Sequence, residues 1–306
     1  MAEKEVKDID SLIDQGLNAE NNELDLREKE LDDEDLIKVL ESDKVKGVTA
    51  LFLEFNDIGD EGLKVLVESD KMKFLTALNL FKNKVTDEGL KALAKSKNML
   101  NLSELILSDN EISHEGAKMV ASSNILGGLV SLWLGDKIGD EGVKALATSE
   151  TLTRLTQLSL YRNNIGNEGA LAIAQSKNLS NLTELNLNWN YIDGEGVEAL
   201  AGSETLNNLK QLTLTFNPVG LRGAEAIAGS ENFRNLTLID LYETDLGNAG
   251  ARVLSESTKL PNLETLVLIH NDIGDEVQAL FKDNKNFPKI KDVYFFILVF
   301  YIIVII

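Results

Sequence analysis

One pattern, L-x-x-L-x-L-x-x-N-x-I-G-D-E-G-x-x-x-L-A, recurs along most of this chain, and a chain with such a period can fold in few ways. Its first position falls at Asn21, Val48, Leu75, Leu102, Leu129, Leu155, Leu182, Leu209, Leu236, Leu263 and Ile290. Successive starts are 27 residues apart, apart from one step of 26 between Leu129 and Leu155. A unit this short cannot shelter its own apolar residues. Stacked neighbours can, so the period predicts an array in which each unit is covered by the next.

Each part of the unit has a physical reading. Leu78-Asn79-Leu80 and Leu185-Asn186-Leu187 predict short strands whose leucines share one face while the middle residue faces the other way. The next apolar residue, such as Ile58, Val85, Ile112, Ile165 or Ile192, turns inward. Asp60, Asp87, Asp140 and Asp275 predict helix N-caps. Glu61, Glu88, Glu141 and Glu168 follow in the first turn, where the helix dipole favours negative charge. The helix is expected to bury Leu63, Val65 and Leu66, or Leu90, Ala92 and Leu93. Glycine recurs just inside it, from Gly62 and Gly89 to Gly223 and Gly250. There it costs about 1 kcal/mol relative to alanine, and close approach of helix to strand layer is the expected reason. The column Asn56, Asn83, Asn110, Asn163, Asn190, Asn217 and Asn271 reads as scaffold, with side-chain amides bonding the backbone of adjacent turns.

These motifs resemble the ribonuclease-inhibitor-like class of leucine-rich-repeat proteins, which includes Ran GTPase-activating proteins and the repeat regions of NOD-like receptors. Bacterial leucine-rich-repeat proteins with IGDEGxKALA units are more similar still. The resemblance implies an α/β fold: a right-handed leucine-rich-repeat solenoid, or horseshoe, with parallel strands on the concave face and helices on the convex face. It also implies protein binding on the concave face. Strand spacing of about 4.8 Å against about 10 Å for helices gives the curvature a reason. The expected plan is an N-terminal helical cap over 1–20, carrying Val6, Ile9, Leu12, Ile13 and Leu17 at helical spacing, then ten repeats over 21–289 and an apolar tail over 290–306. Several units depart from the pattern. The fifth, Leu132-Trp133-Leu134-Gly135-Asp136-Lys137-Ile138, is one residue short and lacks its Asn. The ninth has Thr244 at that position, and the first has Lys29.

Charge narrows the partner. Asp and Glu number 50 against 30 Lys and Arg, a formal charge of −20. Such a field repels phosphate backbones, so nucleic acid is a poor partner and a protein with a basic surface a better one. Cysteine is absent, which excludes disulfides, thiol nucleophiles and Cys-based zinc sites. With two histidines, His114 and His270, no metal spacing, cofactor motif or nucleophile–base pair emerges. The expectation is a monomer without enzymatic activity, a bacterial effector or adaptor. The N-terminal stretch has no apolar core and does not read as a Sec signal peptide. Three locations stay open: the cytoplasm, a membrane reached through the C-terminus, or export by another route.

Three columns of side chains are expected on the outward strand face. The first runs Asp25, Phe52, Asn79, Ile106, Trp133, Ser159, Asn186, Thr213, Asp240, Val267. The second runs Arg27, Glu54, Phe81, Ser108, Gly135, Tyr161, Asn188, Thr215, Tyr242, Ile269. The third runs Glu28, Phe55, Lys82, Asp109, Asp136, Arg162, Trp189, Phe216, Glu243, His270. Both tryptophans and six other aromatics fall here, the composition of protein-binding hot spots. The expected binding patch is Trp133, Tyr161, Arg162, Trp189, Phe216 and Tyr242, with Asp109, Asp136, Asp240 and Glu243 around it. Alternatively, Arg162 serves as an arginine finger and the chain regulates a GTPase in the manner of Ran activators. The uncharged stretch 293–306 has three readings: a membrane anchor that would make the chain a tethered adaptor, a truncated or frameshifted eleventh repeat, or a strand closing the last repeat. As a helix its 14 residues span about 21 Å, short of a bilayer core of about 30 Å.

Overall fold

The computed structural model describes residues 7–296. The chain divides into two units, one of residues up to Ile138 with Ser149–Leu155, the other of Gly139–Thr148 with the residues from Thr156 onward. The division falls in the short fifth repeat.

In the first unit, helix α1 (Ile9–Gly16) and strand β1 (Leu17–Asn18) come first. Strands β2 (Glu23–Asp25), β3 (Ala50–Phe52), β4 (Ala77–Asn79), β5 (Glu104–Ile106) and β6 (Ser131–Trp133) then alternate with helices α2 (Asp33–Glu41), α3 (Asp60–Glu68), α4 (Asp87–Leu93) and α5 (His114–Ser122). β1 runs antiparallel to β2, with Leu17 opposite Leu24. From β2 to β6 every pairing is parallel and in repeat register, Leu24 to Leu51, Leu51 to Leu78, Leu78 to Leu105 and Leu105 to Leu132.

The second unit alternates helices α6 (Gly139–Ala147), α7 (Asn167–Gln175), α8 (Gly194–Ala201), α9 (Gly220–Gly229), α10 (Gly247–Glu256) and α11 (Asp275–Gln278) with strands. The strands are β7 (Gln157–Ser159), β8 (Glu184–Asn186), β9 (Gln211–Thr213), β10 (Leu238–Asp240), β11 (Thr265–Val267) and β12 (Asp292–Tyr294), parallel throughout. The start of the apolar tail is thus a strand, with Val293 opposite Leu266; residues 297–306 lie outside the described residues. Among the described residues no helix is long and apolar enough to cross a membrane.

Within each unit the strand leucines, the inward residue after them and the helix face form an apolar layer. On α3 that face is Leu63, Leu66 and Val67, spaced for one side of a helix, while Val65 sits at the margin. Ala92 is likewise only half-buried.

Three ladders of side chains tie repeat to repeat. The asparagines form the first. Asn56 donates to the Leu26 and Leu53 carbonyls, both at 2.9 Å, and accepts from Lys29 and Leu31 of the repeat before it. Thr244, standing in the asparagine column, keeps one such bond, to the Leu241 carbonyl at 2.8 Å. Serines at the helix ends form the second, which the sequence reading missed. Ser123, Ser176, Ser203 and Ser257 are buried and donate to the carbonyls of Ala94, Ala147, Ala174 and Ala228, one repeat back, at 2.5–2.7 Å.

The third ladder corrects the expected N-caps. Gly59, Thr86 and Gly274 are the cap residues, and Asp60, Asp87 and Asp275 lie already inside the first turn. Asp140 is the second residue of α6. The carboxylates of Asp60, Asp87 and Asp140 finish the helix of the following repeat. Asp60 accepts from Thr86 N and Gly89 N at 2.8 and 3.0 Å, and Asp140 from Gly166 N and Gly169 N at 2.8 and 2.9 Å. Each carboxylate thus meets orphan N–H groups at a positive helix end. Where the preceding repeat offers Asp33, Asp60, Asp87, Asp140, Asn167 or Asn248, the residue opening the next helix has φ between −77° and −111°. Where it offers His114, Gly194 or Leu221, the next helix opens on a left-handed glycine, Gly139, Gly220 or Gly247, at φ +57° to +59°. Gly220 then donates to the Thr244 carbonyl of the repeat after it, at 3.0 Å.

The same ladder explains the glycine inside the helix. A Cβ on Gly169 would lie 2.6 Å from both Asp140 Oδ1 and Ile165 Cγ2. The crowding comes from the previous repeat's carboxylate as much as from the inward residue after the strand, where the sequence pointed to the strand layer alone. Gly169→Ala is therefore expected to lower unfolding free energy by about 2 kcal/mol, the usual cost of overpacking, despite alanine's better helix propensity. Urea denaturation checks this, and a stabilised variant would contradict it.

Candidate functional site

The face of the sheet away from the helices carries side chains presented by an unusual backbone. Glu28, Phe55, Lys82 and Asp109 in the first unit, and Arg162, Trp189, Phe216, Glu243 and His270 in the second, all have φ between +49° and +57°. Side chains resist this region by roughly 1–2 kcal/mol. It holds because the ladder of hydrogen bonds continues through it: Arg162, Trp189, Phe216 and Glu243 donate to the carbonyls of Asn188, Thr215, Tyr242 and Ile269 at 2.8–3.0 Å. The strain recurs in most repeats, so it belongs to the architecture, and it turns the third column outward.

In the second unit Trp189, Phe216 and His270 of this column join Tyr242 of the second column in a run of rings. Trp189 stacks on Phe216 with centroids 3.8 Å apart and planes at 29°. Phe216 meets Tyr242 at 5.2 Å, and Tyr242 meets His270 at 4.9 Å. The Tyr242 hydroxyl is 3.0 Å from His270 Nδ1, and Glu243 Oε2 lies 3.5 Å from the same nitrogen. Burial, with Glu243 and Asp240 nearby, pushes the Tyr242 phenol up, so it keeps its proton at neutral pH. Trp189 is 45% exposed, and Tyr191 beside it 68%. The run is apolar along its length and polar at its His270 end.

The leucine-rich-repeat family matches residues 48–67, 71–94, 98–121, 151–174, 178–201, 205–228 and 259–276, together just over half of the chain. The chain belongs to this family. Two of the unmatched stretches, 122–150 and 229–258, hold the repeat that lacks its asparagine and the repeat with Thr244. Among solved structures, an internalin (InlF) of Listeria monocytogenes is similar at 20% identity over 90% of this chain and 82% of that one, with a TM-score of 0.55. The plant peptide hormone receptor RGFR1 in complex with RGF2 is similar at 18% identity over 82% of this chain and 36% of that one, with a TM-score of 0.43. No curated protein matches the chain. Each unit is built as a leucine-rich-repeat α/β solenoid.

The expected patch divides between the units of this repeat protein. Trp133, Asp109 and Asp136 lie in the first unit, all half-buried, with Trp133 closing β6. Tyr161, Arg162, Trp189, Phe216, Tyr242, Asp240 and Glu243 lie in the second. Of these, Trp189, Phe216 and Tyr242 join one run, Glu243 flanks it, Arg162 is exposed and Tyr161 half-buried. Asp240 corrects the reading: it is 7% exposed and no rim carboxylate. Burial pushes its carboxyl up to about 6, while the Tyr242 N–H at 3.0 Å pulls it back. Neighbouring strands lie about 4.8 Å apart, so large side chains shade small ones. Thr215, Asn188, Ser159, Val267 and Ile269 are buried as well, though all belong to the columns expected outward.

Sequence reasoning left His270 out of the patch. The signal was available, since it falls 27 residues after Glu243, in the column of Trp189 and Phe216. A second group was also missed, in the first unit. Phe55 and Phe81 meet edge to face at 5.3 Å, Lys82 Nζ lies over Phe55 at 5.0 Å and the Arg27 guanidinium over Phe52 at 5.7 Å.

Proposed function

We propose that this chain is a non-enzymatic protein-binding module and that Trp189, Phe216, Tyr242 and His270 form its docking strip, with Arg162 and Glu243 at the rim. The run of packed rings, exposed at Trp189 and His270 and half-buried between them, carries this reading. Rings give large contact area at little entropic cost and dominate binding where they are pre-organised. Here the left-handed backbone of Trp189, Phe216 and His270 and the ring-on-ring packing, Tyr242 included, fix them before any partner arrives. The charge of −20 favours a partner with a basic surface. The reading also takes residues 1–20 as a cap and 21–289 as ten repeats. It keeps the ribonuclease-inhibitor-like subclass, which the helix in every repeat supports. Cross-linking from a residue placed at Tyr191 identifies the partner. Trp189→Ala is then expected to weaken binding about 30-fold, as loss of a hot spot of about 2 kcal/mol does, with the melting temperature unchanged. Undiminished affinity in both Trp189→Ala and Tyr242→Ala would refute the strip.

A further inference from the structure

The first unit holds a cavity of about 540 Å³ whose lining includes Asp25, Arg27, Glu28, Lys29, Glu54 and Phe55. Its charges do not cancel. Asp25 and Arg27 form a two-point pair, Nη2 to Oδ2 at 2.6 Å and Nε to Oδ1 at 3.0 Å. Glu28 and Lys29 are exposed, one of each sign. Glu54 is left over. It is only 8% exposed. Its Oε1 accepts from Asn79 Nδ2 at 2.7 Å, while Oε2 is shut off from water and has no hydrogen-bond partner among the described residues. A buried carboxylate oxygen without a donor is a standing cost, and burial accordingly pushes the Glu54 carboxyl up. The rings beside it already hold cations, as Lys82 over Phe55 and Arg27 over Phe52 show.

We propose that this cavity takes a primary ammonium group on an alkyl stem, as a lysine side chain of a bound polypeptide presents, with the ammonium on Glu54 Oε2 and the stem against Phe55. The terminal torsion of a glutamate is soft, so the carboxyl turns toward the entering group. A guanidinium fits less well, because it recognises both carboxylate oxygens at once and Asn79 occupies one. A metal ion lacks ligands: no cluster of three metal-binding side chains occurs among the described residues. The site lies in the first unit and stands apart from the aromatic strip of the second.

The test is a titration of the 15N-labelled full chain, followed by NMR, with the methylamides of Nα-acetyl-lysine, Nα-acetyl-norleucine and Nα-acetyl-arginine, and with 1,5-diaminopentane. The lysine probe is expected to shift the Glu54 and Phe55 amides saturably. Norleucine is expected to bind at least about tenfold more weakly, as removal of one charge-assisted hydrogen bond requires. Glu54→Gln should lose the same factor while unfolding no earlier than the wild type, and Phe55→Leu should weaken binding without abolishing it. Norleucine or arginine binding as tightly as lysine, an unaffected Glu54→Gln chain, or shifts from the diamine but not from the lysine amide would each overturn the assignment. Trp189→Ala should leave the lysine titration untouched, which separates this result from the fate of the docking strip.

Discussion

Asn190→Ala is expected to lower the unfolding free energy by about 4 kcal/mol and the melting temperature by about 6 °C. The amide donates to the carbonyls of Leu160, Leu187 and Asn188 at 2.9–3.1 Å and accepts from the N–H groups of Asn163 and Ile165 at 2.9 and 3.0 Å. It is 3% exposed. Alanine takes the acceptor from the Asn163 and Ile165 N–H groups and a donor from the Leu160 carbonyl, while the Leu187 and Asn188 carbonyls keep the Asn217 amide and the Arg162 N–H. Each orphan costs about 1–3 kcal/mol, and water entering the space left by the amide holds the total below their sum. Asn190→Asp keeps the acceptor and loses the donors, so it should also destabilise, by less in acid than at neutral pH. Calorimetry on the three chains checks this. A loss under about 1 kcal/mol for the alanine chain would mean that the stack does not depend on its amide ladder.

Asp240 carries the second large effect, with pH as the variable. Its folded value of about 6 lies above the ordinary 3.8. A carboxyl shifted upward binds more protons folded than unfolded. Its contribution is therefore fully present below about pH 4 and is lost as pH rises through about 6. The gap corresponds to about 3 kcal/mol. Asp240→Asn, which keeps an acceptor for the Tyr242 N–H, should accordingly be the more stable chain by about 3 kcal/mol at pH 7.5 and no more stable at pH 4. Denaturant unfolding at both pH values measures this, and an equal difference at the two would sink it. Because Tyr242 takes its backbone bond from this carboxylate, the aromatic strip rests on a group that titrates just below neutrality.

The sequence displayed the architecture because the period is local arithmetic. Leu78 and Leu80 alternate, Ile58 and Val85 fall in step, and the amide column repeats with them. What it hid are contacts between residues 26–29 apart, which exist only once the repeats are stacked. Asp60 looks like the cap of its own helix, and only stacking shows that it caps the helix at Thr86. Ser176 looks like an ordinary helix-ending serine until the Ala147 carbonyl is placed over it. Exposure was misjudged for the same reason. Thr215 and Asp240 point away from the leucines yet are buried, since neighbouring strands lie close enough for large side chains to cover small ones. The strip itself is half legible: its three large rings stand out in the columns, while the place of His270 depends on its packing against Tyr242, a contact made only between stacked repeats.

The carboxylate and amide ladders run in opposite senses along the chain. A repeat with its full complement lends an acid forward to the helix that follows and an amide backward to the loop that precedes it. An interior repeat that opens thus disarms the one ahead and the one behind in a single event. Breathing in such an array spreads over several periods or does not begin, and the rings of the strip inherit the stiffness of neighbours they never touch.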